Sequence, residues 1–155
     1  MSPAPDPAIN DKFAHKLAYL DEMRDWLQGA ETAGPAVLVG DLNVAPLEED
    51  VWSHKQLLKI VSHTPIETDR LKAIMATGDW IDVMRRFVPD NEKLYTWWSY
   101  RARDWQKANK GRRLDHIWAT RALEPTIAGM HVLTEARGWE KPSDHVPVIA
   151  TFKAN

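Results

Sequence analysis

The chain has 155 residues, 44% of them hydrophobic and 27% charged, the balance of a soluble globular domain long enough to bury a core. It has no cysteine, which excludes disulfides and thiolate metal centres, and no apolar run approaches the roughly 20 residues that cross a bilayer. A formal net charge of -2 weighs against binding nucleic acid through overall charge, and the amino terminus lacks the charged and apolar regions of a secretory signal, so a cytoplasmic location without membrane attachment is expected.

Pro3, Pro5 and Pro7 make residues 1–12 a proline-rich, extended lead-in. Phe13, Leu17, Leu20, Met23, Trp26 and Leu27 then recur at helical spacing, which predicts an amphipathic helix over residues 9–27 that stops at Gly29. The run Ala36, Val37, Leu38, Val39 predicts a short buried strand ending at Gly40, and residues 43–49 a loop. Helices are expected over 52–60 and 66–77, the second introduced by Thr64 and Pro65, with a further helical turn or two over 80–87. After Pro89, Asp90 and Asn91 the pattern changes to strands at 95–100, 114–119, 126–134 and 146–152. Strands in succession pair antiparallel, so the class is α+β, with one mixed sheet covered by helices on one face.

Charge is uneven along the chain. Arg101, Arg103, Lys107, Lys110, Arg112 and Arg113 face a single acid, Asp104, and Trp97, Trp98 and Trp105 lie beside or among them. Alternate side chains of a strand face opposite ways. Trp97 and Trp98 therefore cannot both enter one core, and one of them should point to a second surface.

Three polar clusters sit at strand ends: Gly40-Asp41-Leu42-Asn43, Arg113-Leu114-Asp115-His116 and Ser143-Asp144-His145. Singly, each is what a turn or helix cap contains. Together they place three aspartates, two histidines and an asparagine where a layered fold can bring them together. Hard cations such as Mg²⁺ take few, carboxylate-rich ligands and keep waters for a phosphate, and a held phosphate plus a carboxylate base suffices to hydrolyse a phosphodiester. His116 neighbours Asp115 in sequence and so faces away from it. His15, His54, His63 and His131 are expected to be structural or exposed.

In order and spacing, these clusters resemble the exonuclease III branch of the exonuclease–endonuclease–phosphatase superfamily. The similarity includes Trp97 before Tyr100-Arg101, Lys141-Pro142 before Ser143-Asp144-His145, and the stretch from Asn43 to His54. It runs from about Phe13 to Phe152 and implies that residues 13–155 form the C-terminal half of that domain. The family fold is a four-layer α/β-sandwich, of which this chain would supply one sheet and its helices. The resemblance implies a DNA-repair nuclease acting as a 3′–5′ exonuclease and abasic-site endonuclease. Its substrate would be duplex DNA with abasic sites or 3′ ends, and its cofactor Mg²⁺, with Mn²⁺ as a substitute. By position, Asp41 matches the carboxylate that activates water or protonates the leaving oxygen. Asn43 matches the amide that orients the phosphate near the metal, and Asp144 the late aspartate beside the metal. His145 matches the histidine on the scissile phosphate and Asp115 the aspartate that orients it. Asp41, Asn43 and His145 also fall near the ion in this match, and Trp97 and Arg101 fall on the substrate. The glutamate that is the family's principal metal ligand has no counterpart in this sequence. The reading therefore carries two further forms: a chain completed by a complementary N-terminal half or a homodimer, and a non-catalytic interaction module. A phosphatase of the same superfamily is the remaining alternative.

Overall fold

The computed structural model describes residues 4–30 and 34–154, and Pro3 of the lead-in lies outside the described residues. The lead-in is not extended to its end. The Asp6 carbonyl accepts the N–H groups of Ile9 and Asn10, and the Asp6 side chain accepts that of Ala8, which folds residues 7–9 into a turn. The Asn10 side chain accepts the Phe13 N–H at 3.0 Å, filling one of the donors a helix start leaves open. Helix α1 (Asp11–Gln28) begins there, buries Phe13, Leu17, Leu20 and Leu27, and stops at Gly29.

Strand β1 (Val37–Asp41) lies at the edge of a three-stranded antiparallel sheet. Its neighbour is the central β5 (Asp115–Thr120), and the far edge is β2 (Trp80–Asp82). Residues 80–82 were expected to be helical and are this strand. Both of its faces are covered, so its apolar run carries no alternation to mark a strand. Asp82 then caps the short helix α4 (Val83–Phe87) through the Arg85 N–H. The helix expected over 52–60 shrinks to α2 (His54–Leu57), because Val51 bridges to Arg112 and the Trp52 N–H donates to Gly111, holding the approach extended. Helix α3 (Pro65–Met75) matches expectation and carries a capping box between Thr64 and Glu67.

The remaining strands are antiparallel pairs: β3 (Trp97–Trp98) with β4 (Gly111–Arg112), and β6 (Ile127–Val132) with β7 (Val148–Phe152). Between β4 and its partner, a Cβ at position 111 would lie 2.4 Å from the Tyr95 ring, so glycine is required there. The α+β class holds, but the pairing is antiparallel throughout and falls into three small sheets rather than one mixed sheet. The hairpin β6–β7 meets β5 through side chains instead of hydrogen bonds. Ile117 and Ala119 pack on Ile127, Val148, Ala150 and Phe152. On the opposite face of β5, Trp118 joins Leu20, Leu27, Leu71 and Ile74 of α1 and α3.

A charged cluster lies inside this frame. Arg113 has no exposed surface and makes paired bonds to Asp50 and to Asp82, while Arg85 shares Asp50. At the outer rim, by contrast, Val37, Val39 and Ile149 are left 46%, 64% and 48% exposed. Among the described residues no strand pairs with the outer edge of β1.

Candidate active site

The register of β1 against β5 sets the site. Asp41 lies directly opposite Asp115, and directly opposed residues of an antiparallel pair share a face. Two carboxylates in that relation repel; here a histidine comes between them. His145 lies just before β7 and bridges to Trp97. Its Nδ1 is 2.8 Å from Asp115 Oδ2, and its Nε2 is 3.7 Å from Asp41 Oδ2. Among the described residues, Asp41, Asp115 and His145 are the one such group offering ligand atoms within 4.8 Å of one another.

The cluster is held from behind. Thr96 is fully buried, and its hydroxyl donates to Asp115 Oδ2 at 2.6 Å while accepting the N–H groups of Leu114 and Asp115. With Asp115 anchored, the carboxylate accepts a hydrogen bond from the His145 Nδ1–H and leaves Nε2 facing Asp41. Burial pushes the His145 pKa down, but the hydrogen bond to Asp115 and the charges of Asp115, Asp41 and Asp144 outweigh it, so the net displacement is upward. The imidazole is thus biased toward its cationic form at a solvent-facing site.

Asp41 Oδ1 accepts the Asn43 N–H at 2.8 Å, and Asn43 sits at a φ of 50°, a left-handed conformation that asparagine tolerates. Its carbonyl is gripped at 2.6 Å by Lys16 of α1, which also pairs with the buried Glu67. Glu67 in turn accepts from Ser62 and Thr64. Lys16 and Thr96 had no signature in the sequence. Each acts through a partner more than fifteen residues away, and only folding brings them together.

Asp144 stands beside this group and not in it, since its Oδ2 accepts the Trp97 Nε1–H at 3.0 Å. Trp97 is half-buried and Trp98 is 4% exposed, so the pair does divide between two surfaces. Arg101 is exposed and apart from the carboxylates, on a cleft that Trp97 also lines. Of the six cations in the basic run, Arg113 is withdrawn into the buried cluster described above. Arg112 spans the Val61 carbonyl, the Ser62 hydroxyl and the face of Trp97. His116 faces away, as expected. It is buried against the Val44 carbonyl, and burial with the nearby Arg113 lowers its pKa to about 4. His54 and His63 bond to each other at 2.7 Å, a pairing the sequence gave no reason to expect. His15 and His131 are exposed.

These features define a class of fold with carboxylates and a histidine gathered at strand ends. The model of the Endonuclease/Exonuclease/phosphatase family matches residues 9–145, and the chain belongs to that family. Among its relatives, exodeoxyribonuclease III of Haemophilus influenzae is 27% identical over 94% of this chain and 57% of its own length. An AP endonuclease from Archaeoglobus fulgidus superposes with a TM-score of 0.88 at 34% identity, over 94% of this chain and 56% of that one. A 3′ phosphatase of Neisseria bound to product DNA hairpin superposes with a TM-score of 0.86 at 28% identity and the same two coverages. The chain therefore spans little more than half the length of the proteins it matches.

Proposed function

We propose that this chain carries the phosphate-handling part of a DNA-repair nuclease of the exonuclease III type, cleaving DNA phosphodiesters at abasic sites and from 3′ ends. The observation that carries the reading is the linear set Asp115–His145–Asp41. An anchored carboxylate holds an imidazole, biased toward its cationic form, toward a second carboxylate that keeps a free oxygen in solvent. A scissile phosphate beside His145 Nε2 receives a charge-assisted hydrogen bond. Asp41, 3.7 Å from the same nitrogen, moves the proton of the attacking water or of the leaving oxygen. Asn43, fixed by Lys16 and Asp41, orients a phosphate oxygen, and Trp97 walls the sugar side.

The family is typically dependent on a divalent metal, and the donor set fits one on its Asp41 side. Asp115 is committed to Thr96 and His145, and Asp144 to Trp97. The exposed Asp41 and Asn43 remain as oxygen donors suited to Mg²⁺ or Mn²⁺. When bound, the ion supplies charge neutralisation to the phosphate. Two such ligands are few. The exposed Val37 and Val39 of β1 support completion of the site by a complementary segment, such as its relatives carry beyond the matched stretch.

The test is cleavage of a duplex containing one abasic site. With Mg²⁺, the chain alone should cleave little. The complementary segment of a relative, expressed separately and added, should restore cleavage, and Asp41→Asn should remove it again. The reading fails if the chain alone matches an intact family enzyme and Asp41→Asn leaves that activity in place.

A further inference from the structure

The turn that follows Asp41 is held by its carbonyls. Those of Asn43, Val44 and Ala45 each accept a bond from a different side chain: Lys16 Nζ of α1 at 2.6 Å, His116 Nε2 of β5 at 2.7 Å and His63 Nδ1 at 2.7 Å. Val44 and Ala45 are fully buried, and His63 is 2% exposed. Ala45 is fixed at both of its backbone groups, since its N–H donates to the Ser62 carbonyl at 2.7 Å. Ser62 itself sits at a φ of 88°, a conformation that serine rarely adopts. Glu67 keeps it there by accepting its N–H, and Arg112 by donating to its hydroxyl. Such a conformation persists only where its surroundings over-determine it. The circuit closes through Lys16, which grips both Glu67 and the Asn43 carbonyl.

The bond from His63 fixes where its protons lie. A carbonyl oxygen only accepts, so Nδ1 carries the proton, and Nε2 of the neutral ring keeps its lone pair. That lone pair meets His54 Nδ1 at 2.7 Å, so His54 Nδ1 donates. His54 Nε2 then faces Glu48 Oε1 at 3.6 Å. A first proton added to the pair goes on His54 Nε2, toward the Glu48 carboxylate, and both bonds survive. A second goes on His63 Nε2 and sets one N–H against another. The other charges around His63 are Asp50 and Arg112, with Asp69 and Lys72 across the pocket that both rings line. Glu67, bonded to the residues on either side of His63, is paired with Lys16. Burial, with the charges of His54 and Arg112, lowers the His63 pKa against the bond to Ala45 and the charge of Asp50. The neutral donor therefore survives into mildly acidic solution.

We propose that His63 is a positioning residue for the Asp41 site, with His54 fixing its tautomer. By holding the Ala45 carbonyl it keeps the turn in place, so that the Asn43 N–H reaches Asp41 Oδ1 and the Asn43 side chain lines the same pocket as Asp41. It touches no reacting atom. The proposal rests on the nuclease reading for what the site does, though not for the geometry of the turn. A packing role would need only the shape of the ring, whereas positioning needs the Nδ1 donor.

The test follows the Asn43 backbone and side-chain amides of the full chain by NMR, together with cleavage of abasic duplex by the completed enzyme. His63→Phe keeps the bulk of the ring and removes the donor. It should speed hydrogen exchange at the Asn43 N–H roughly tenfold, as for one lost hydrogen bond. It should also lower kcat by roughly tenfold to a hundredfold, the scale of a misplacement of about 1 Å, with KM little changed. His63→Asn, whose amide nitrogen falls where Nδ1 was, should recover most of both. In the unaltered chain the Asn43 amides should shift as pH falls through the His63 midpoint, read from its ring protons below the ordinary histidine range. That step should be absent in His63→Asn, while any step at the elevated His145 midpoint remains. Where His63→Phe does not fold, the comparison of these two titrations decides. The proposal is overturned if His63→Phe leaves Asn43 exchange and kcat as they were, if His63→Asn is as impaired as His63→Phe, or if the lower step persists in His63→Asn. Faster Asn43 exchange in His63→Phe, with no cleavage by the unaltered completed enzyme, would sink the nuclease reading and leave the positioning standing.

Discussion

Replacing Asp50 by Asn removes one charge and almost no volume. Asp50 has no exposed side-chain surface. Its two oxygens accept from Arg113 at 2.7 and 2.9 Å, from Arg85 at 2.6 Å and from the Leu47 N–H at 2.9 Å. The substitution leaves Arg113 with one remaining carboxylate, the partly exposed Asp82, and Arg85 with backbone carbonyls alone. Removing one member of a buried ion pair costs about 3–5 kcal/mol, because the partner stays desolvated and uncompensated. A domain of this size has only about 5–15 kcal/mol of stability and loses roughly 2–4 °C of Tm per kcal/mol. Asp50→Asn should therefore lower Tm by roughly 6–20 °C. The control is Arg86→Ala, which breaks the exposed pair with Glu124 and should cost at most about 1 kcal/mol. Thermal unfolding by circular dichroism gives both values. Equal shifts for the two variants would refute the idea that the Asp50 cluster is desolvated.

The His145 imidazole should titrate above the ordinary histidine range when followed by its ring-proton NMR signal, because Asp115, Asp41 and Asp144 face it. In Asp115→Asn it should titrate lower, and an unmoved midpoint would show that Asp115 does not hold it. Phosphate or DNA affinity that depends on the cation should be complete below the unperturbed histidine pKa and fade as pH rises through the elevated one; stability gained from the pairing follows the same sign. Mg²⁺ should bind the chain alone only weakly, in the millimolar range expected for so few ligands, and Asp41→Asn should abolish what binding there is. Calorimetry giving micromolar affinity would contradict that ligand count.

What the sequence made legible was what lies close in the chain or repeats with a period. Phe13, Leu17, Leu20 and Leu27 announced α1, and Thr64 with Pro65 announced the start of α3. Asp41, Asp115 and His145 were readable as candidates because each ends or precedes a strand; that they meet depends on the register of β1 with β5. What stayed hidden was long-range. The Asp50–Arg113 pair spans 63 positions, so Arg113 read as one more surface cation. Trp52 read as part of a helix, because nothing local shows that the Gly111 carbonyl would hold its N–H. Trp80, Ile81 and Asp82 failed for a different reason: three residues covered on both sides have no alternating pattern to betray them.

The outer edge of β1 has a consequence for handling the molecule. Its free amides and carbonyls are a template on which a second copy can lay a strand, and the exposed Val37 and Val39 favour such contact. Along Val37–Asp41 the only charge opposing self-association is Asp41, the same carboxylate assigned to proton transfer. In the proposed reading, proton transfer and solubility thus share one side chain. Asp41→Asn, the variant that reading expects to be inactive, also strips the edge of its gatekeeper, and should form filaments or precipitate at protein concentrations the unaltered chain tolerates.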